Sequence, residues 1–123
     1  MVDKATIALC NSDQLQDSGE AVPFDVNYEG QTCRAFAVRF EGRSHAYLNR
    51  CAHVAMEMDF QPNQFFDSSG QWLICATHGA MYDPASGECV GGPCRGGLVK
   101  IGLEEQQGVV HWHPTWNVKP VEF

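Results

Sequence analysis

The sequence predicts an all-β fold of antiparallel strands with one loop-rich insertion, on three observations. Between residues 5 and 50, large apolar residues recur at every second position: Val22, Phe24 and Val26, then Phe36, Val38 and Phe40, then Ala46 and Leu48. Period two marks a half-buried strand. Short turn signals part these runs, at Asn27-Tyr28-Glu29-Gly30 and Glu41-Gly42-Arg43, and such lengths join antiparallel hairpins. From Cys51 to Asp83 the alternation gives way to irregular, Gly- and Ser-containing sequence.

Asn11 to Glu20 is polar and suits at most one short helical turn, capped by Ser12; it carries no apolar stripe, and no long helix is expected anywhere. Within the insertion, Asp67-Ser68-Ser69-Gly70 reads as a turn into a strand Gln71-Trp72-Leu73-Ile74, with Trp72 and Ile74 on one face and Leu73 on the other. Phe60, Phe65 and Phe66 are expected to form a local core beneath the loops. Asp83-Pro84-Ala85-Ser86-Gly87 is a turn, and Gly91-Gly92-Pro93 a stiff loop allowing close backbone approach. Two more strands follow, Leu98 to Leu103 and Gly108 to Trp112, joined by a turn over Glu104 to Gly108; Pro114 to Phe123 reads as an extended tail.

With 123 residues, 44% of them hydrophobic and 19% charged, the chain makes one domain of ordinary globular composition. No apolar run approaches the roughly 18 residues of a membrane span, and no charged start leads into an apolar block, so the cytoplasm is the expected compartment. A net charge of −7 argues against nucleic acid or an anionic membrane as partner, since both need clustered Lys and Arg. It suits a basic protein surface. Glu57, Asp59, Asp67, Asp83 and Glu88 lie in or near the insertion, offset by Arg50 and Arg95; mere solubility is the plainer reading of these acids.

The insertion holds Cys51-Ala52-His53 and, 21 residues on, Cys75-Ala76-Thr77-His78. Two Cys-His pairs in so short a chain suggest a metal site. The second pair continues as His78-Gly79-Ala80-Met81-Tyr82-Asp83 and then Gly87-Glu88-Cys89-Val90-Gly91-Gly92-Pro93-Cys94.

This string resembles the Rieske iron–sulfur proteins, and among them the soluble Rieske-type ferredoxins. The resemblance runs from about residue 31 to about 103 and is densest from Cys51 to Cys94; the spacer between the pairs is a few residues longer than usual. It implies a Rieske-like antiparallel scaffold spanning residues 1–123, with a cluster-binding subdomain at about 50–84 and a covering loop at about 89–96 in which Pro93 helps exclude water. It also implies one [2Fe–2S] cluster per chain, with Cys51 and Cys75 on the inner iron and His53 and His78 on the outer, exposed one. Two thiolates and two neutral imidazoles leave the oxidised site neutral. An electron then enters more easily than with four thiolates, which places such sites at about −150 to +300 mV against about −400 mV for all-Cys clusters. High-potential members carry an extra Cys in each loop and a Ser after the His-Gly. Here Met56, Thr77 and Ala80 stand at those places while Tyr82 is retained, which implies the lower part of the range.

A structural Cys2His2 zinc site is the remote alternative, although zinc pairs usually have two or more residues between ligands and Cys51 and His53 have one. Cys89 and Cys94 suit a disulfide beside the cluster, a redox-sensing pair, or small packing residues, the last being favoured in a reducing compartment. Cys10 and Cys33 read as strand residues in the core, and His45 carries no signal beyond its strand. His111 and His113 share a strand face as exposed polar positions, with adventitious metal binding as the alternative.

No nucleotide or flavin fingerprint, mononuclear iron motif or nucleophile–base set accompanies the Cys-His pairs. The resemblance therefore implies a one-electron carrier rather than an enzyme, receiving electrons from a reductase and passing them to a terminal oxygenase or reductase. A non-catalytic Rieske-type subunit or a redox-sensing module of a larger complex are the alternatives.

Overall fold

Three X-Gly turns organise the scaffold. In the computed structural model, which describes residues 6–49, 64–75, 79–92 and 96–121, Glu29-Gly30, Glu41-Gly42 and Gln107-Gly108 all take positive φ, between 51° and 89°. Positive φ at both central residues defines the type I′ turn, whose twist matches that of the paired strands; glycine supplies the second position without steric cost. The turns close three two-residue hairpins: β2 (Val22–Tyr28) with β3 (Gln31–Phe40), β3 with β4 (Arg43–Leu48), and β9 (Leu103–Gln106) with β10 (Val109–Trp112).

All named strands pair antiparallel, in three sheets. The large sheet has the order β11-β2-β3-β4-β8, with β8 at Lys100–Ile101 and β11 at Val118–Pro120; a flanking sheet has the order β1-β10-β9, with β1 at Ile7–Asn11. The third is a small sheet of β5 (Leu73–Ile74), β6 (Met81–Tyr82) and β7 (Cys89–Gly91). An all-β antiparallel fold is therefore confirmed, and the only helical piece among the described residues is the 3₁₀ turn Ser12–Gln14.

β3 is the wall between two cores. Ala35, Phe36, Ala37 and Val38 are all buried. Phe36 and Val38 enter a cluster with Tyr47, Phe65, Leu73, Cys75, Ala80 and Tyr82, while Ala35 and Ala37 enter a second with Val26, Leu48, Val110, Trp112 and Val118. The flanking sheet thus covers one face of the large sheet and the small sheet covers the other. Phe65 stacks on Phe36 with ring centroids 3.7 Å apart, and Phe66 packs beside it, as expected of a core beneath the loops; Phe60 lies outside the described residues. Cys10 and Cys33 are strand residues packed in or against the second core.

Several boundaries differ from expectation. The 3₁₀ turn is capped by Asn11 rather than Ser12, the Asn11 amide donating to Gln14 Oε1 at 2.9 Å. Leu98 to Leu103 is not one strand: the chain leaves the large sheet after Ile101 and joins the flanking sheet at Leu103, crossing at Gly102, whose carbonyl accepts from His113 N at 3.0 Å. Glu104, Glu105 and Gln106 are strand rather than turn, because register with β10 lets them pair with His111, Val110 and Val109. The strand before Cys75 is shorter than its four-residue reading, covering only Leu73 and Ile74. The expected tail contains β11, where Val118 is buried at the sheet edge and Pro120 removes a donor that an edge position does not need. His111 and His113 are half-buried rather than exposed; His113 Nε2 lies 3.2 Å from Glu104 Oε1, and His111 Nδ1 is buried without a hydrogen-bond partner.

Arg39 ties the large sheet to the flanking one. Its guanidinium donates to Glu105 through both terminal nitrogens, at 3.2 and 3.0 Å, to Leu15 O at 2.8 Å, to Ser12 O at 3.0 Å and to Gly42 O at 3.2 Å. These bonds hold the Glu105 carboxyl below the usual carboxylate range. Replacing Arg39 by Met is expected to cost about 2–3 kcal/mol, because the carboxylate and three carbonyls lose a charged donor together. A depressed folded pKa gives stability that is present above the unfolded value of about 4.3 and is lost as pH falls through the folded value. Urea unfolding from pH 6 to pH 3 should therefore show a steeper acid loss in the wild type than in the Arg39→Met variant.

Candidate metal centre

The β5–β6 hairpin builds the second Cys-His loop. Leu73 pairs with Tyr82 and Ile74 with Met81, and the hairpin is then closed by Cys75 N donating to Ala80 O and Gly79 N donating to Cys75 O, each at 2.8 Å. Gly79 sits at φ +77°, a conformation side chains rarely adopt. Cys75 has no solvent exposure and is a thiol rather than half of a disulfide. It is the one sequence-predicted ligand among the described residues: Cys51, His53 and His78 lie outside them, as do Met56, Thr77, Pro93 and Cys94. Among the described residues no group of three or more His, Cys, Asp or Glu side chains converges on a metal position.

The points where the first loop leaves and rejoins the scaffold are both fixed. Asn49, buried at the end of β4, donates its amide to Arg34 O at 2.8 Å, and Leu48 N donates to Val99 O at 2.9 Å. The described chain resumes at Gln64, and Phe65 is held by its stack on Phe36. Asn49 and Phe65, described residues on either side of residues 50–63, are therefore both held on the large sheet.

Glycines set the third segment against the second loop. A Cβ at Gly92, φ +78°, would lie 2.7 Å from Gly79 O and 2.8 Å from Ala80 Cα, distances that real contacts do not reach. Only glycine lets the two backbones touch here. Further back, a Cβ at Gly87 would lie 2.7 Å from the Tyr47 ring, and one at Gly97 would lie 2.8 Å from Gly87 O. Tyr47 donates its hydroxyl to Pro84 O at 2.7 Å, and Lys100 donates to Ala85 O at 2.5 Å while its ammonium lies 5.4 Å from the Tyr47 ring centroid. Burial raises the Tyr47 pKa, so the hydroxyl stays a donor at every ordinary pH. The turn at Asp83 forms as expected, Asp83 Oδ1 accepting from Ala85 N at 2.8 Å and Gly87 N donating to Asp83 O at 2.7 Å.

Tyr47, Gly87, Gly97 and Lys100 position the site and are not apparent in the sequence. The alternation of β4 directs attention to Ala46 and Leu48, yet Tyr47, of opposite parity, is equally buried because this sheet is covered on both faces. Cys89 is in a disulfide, so it is not a simple packing thiol; its partner lies outside the described residues.

These residues fit a cluster held by thiolates and imidazoles. A wholly buried thiol follows β5, the sequence continues from it as Cys-Ala-Thr-His, and Gly92 brings a third backbone segment against Gly79 and Ala80. Ala80, fully buried, offers no hydroxyl where high-potential relatives have one.

The model of the Rieske [2Fe-2S] domain matches residues 5–107, and the chain belongs to that family. Among solved structures it is similar to the ferredoxin of carbazole 1,9a-dioxygenase from Nocardioides aromaticivorans IC177, at 19% identity and a TM-score of 0.69, covering 91% of this chain and 100% of that one. The Sphingomonas yanoikuyae B1 ferredoxin superimposes at 20% identity and a TM-score of 0.70, covering 90% of this chain and 100% of that one. The terminal oxygenase of carbazole 1,9a-dioxygenase from Nocardioides aromaticivorans IC177 matches 98% of this chain with 32% of its own, at 20% identity and a TM-score of 0.69. No curated protein matches the chain. A Rieske domain implies a [2Fe–2S] cluster.

Gly92→Ala tests the glycine contact. The added methyl has backbone on every near side, so the second loop must shift. The purified variant is expected to hold less than half the iron and sulfide per chain of the wild type, while the far-ultraviolet spectrum of the β scaffold is unchanged.

Proposed function

We propose that the protein is a one-electron carrier, a Rieske-type ferredoxin that takes electrons from a reductase and delivers them to a terminal oxygenase or a similar enzyme. One [2Fe–2S] cluster per chain is held by Cys51, His53, Cys75 and His78, in a unit formed by residues 50–84 and covered by 89–96. The observation that carries this reading is Cys75. Its thiol is wholly buried in a tight hairpin closed by backbone hydrogen bonds, and Cys51, His53 and His78 supply the remaining donors in family order along the sequence. The cluster, when bound, supplies a single reversible electron. The chain's part is to hold one of the two thiolates, Cys75, in the buried hairpin and to exclude water with the Gly92 segment. Support also comes from the likeness of 91% and 90% of the chain to two ferredoxins over their full length. No helix among the described residues is long and apolar enough to cross a membrane, and a cytoplasmic setting is part of this proposal.

One observation favours a second reading, that of a redox-sensing module: Cys89 is disulfide-bonded and packs against the core that contains Cys75. Alkylation followed by mass spectrometry decides between them. Free alkylation of Cys89 in native protein, both as isolated without oxygen and after mild oxidation, removes the support for sensing.

Absorption and low-temperature EPR before and after dithionite, with iron, sulfide and zinc counted, test the main reading. Two irons, two sulfides and a His-ligated reduced signal are expected, with Cys75→Ser abolishing all three; one zinc in a colourless protein overturns it. The midpoint potential is expected below zero, in the lower part of the range of about −150 to +300 mV. Ala80→Ser should raise it by about 40 mV, the equivalent for one electron of a hydrogen bond of about 1 kcal/mol.

A further inference from the structure

The outward face of the small sheet carries a line of side chains that the fold does not use. Asp67 N donates to Trp72 O at 2.9 Å, and Asp83 N donates to Glu88 O at 2.9 Å. The Leu73–Tyr82 register, carried one residue on, sets Trp72 across from Asp83. Backbone pairing thus brings Asp67, Trp72, Asp83 and Glu88 into one row. The adjacent row of Phe66, Leu73, Tyr82 and Cys89 packs in or against the core, whereas in the first row Trp72 and Glu88 are exposed and Asp67 and Asp83 partly so. Trp72 is 36% exposed, and Val90, of the same parity as Glu88 on β7, is 48% exposed.

The chemistry of the row is one indole among three carboxylates. None of the three is in an ion pair among the described residues. Lys100 lies near enough to Asp83 to sense its charge, but its ammonium is held by Ala85 O. Asp67 and Asp83 each use Oδ1 to cap their own turns, with Ser69 N and Oγ and with Ala85 N and Ser86 N respectively. Their carboxylates are therefore held in place before anything binds, which lowers the ordering cost of binding. Like charges would repel a second copy of this chain, and also a nucleic acid or an anionic membrane. A guanidinium satisfies every group at once: its plane stacks on the indole and its donors meet carboxylates.

We propose that the row Asp67, Trp72, Asp83 and Glu88 is the docking surface for an arginine-bearing basic patch of a protein redox partner, with Trp72 as its anchor. The proposal rests on the electron-carrier reading. Trp72 lies three residues from Cys75 along the strand, about 10 Å, so a partner seated there is close to the ligand loop. A central aromatic within a polar rim is the usual build of an interface hot spot.

Cytochrome c, a basic haem protein, with its surface lysines guanidinated so that they present guanidinium groups, serves as the probe. Its binding in the oxidised state is measured by calorimetry at low salt, and its reduction by dithionite-reduced protein by stopped flow. Trp72→Ser and Glu88→Lys should each weaken binding and slow the second-order reduction at least fivefold, and Glu88→Lys should flatten the salt dependence. Oxidation by ferricyanide, a small anion that needs no docking row, should stay within twofold of wild type, as should the cluster spectrum. Trp116→Ser is the control: Trp116 is 79% exposed on the loop between β10 and β11, away from the small sheet, and its loss should change nothing. Wild-type binding and rates in both variants, or an equal fall in Trp116→Ser, overturns the docking surface. A protein without a cluster signal that still binds cytochrome c through Trp72 overturns the carrier reading instead and leaves the surface standing.

Discussion

Burial of β3 on both faces is the constraint on which the other parts depend. Phe36 and Val38 belong to the core under the small sheet, while Ala35 and Ala37 belong to the core under the flanking sheet. A strand with one wet face can slip in register by paying only for its buried face, but a slip here would exchange two phenyl- or isopropyl-sized side chains with two methyls in both cores at once. The large sheet is therefore locked in register, and whatever is anchored to it inherits that precision. Asn49 and Phe65 are so anchored, and so is the Asp83 turn, which Tyr47 meets at Pro84.

The small sheet illustrates how a site can be precise with little regular structure of its own. Its strands are two or three residues long, too short to be stable alone. What holds them is contact with the large sheet, through the Tyr47 hydroxyl and the Lys100 ammonium on carbonyls of the Asp83 turn and through Gly87 against the Tyr47 ring, together with Gly92 and Gly97, which let neighbouring segments of backbone touch. Each hydrogen bond is worth about 1 kcal/mol net. The glycine contacts add little energy but permit no alternative side chain, so they determine the position of the loops more than their stability. Arg39 does the corresponding work on the opposite side of the large sheet, where one guanidinium joins β3, β9 and the 3₁₀ turn.

Charge and chemistry are divided in the same way. The β5–β6 hairpin buries a thiol, a methyl and a phenol, those of Cys75, Ala80 and Tyr82. The acids of the small sheet stand on its outer face with Trp72. On the proposed carrier reading, a dry hairpin beneath an acidic, partly aromatic exterior suits shielding a cofactor from water while meeting a partner.

Features that depend on neighbours in sequence were legible in the sequence alone. The alternation of β2, β3 and β4, the X-Gly turns at Gly30 and Gly42, the turn at Asp83 and the two Cys-His pairs are all local, set by period, by φ preference or by ligand spacing. Features that depend on residues distant in sequence were decided by tertiary structure. Gly102 parts β8 from β9 because Ile101 finds β4 and Leu103 finds β10; the ending becomes a strand because the edge of β2 is open to it. Tyr47 looks like an exception to the alternation until the small sheet covers its face of β4. The row of acids around Trp72 cannot be read from residues 67, 72, 83 and 88 as they stand in the chain, since only the pairing of four extended segments makes them neighbours. Local steric preference is written residue by residue; juxtaposition requires the loop-closure entropy of folding to be overcome by contacts that no single segment contains.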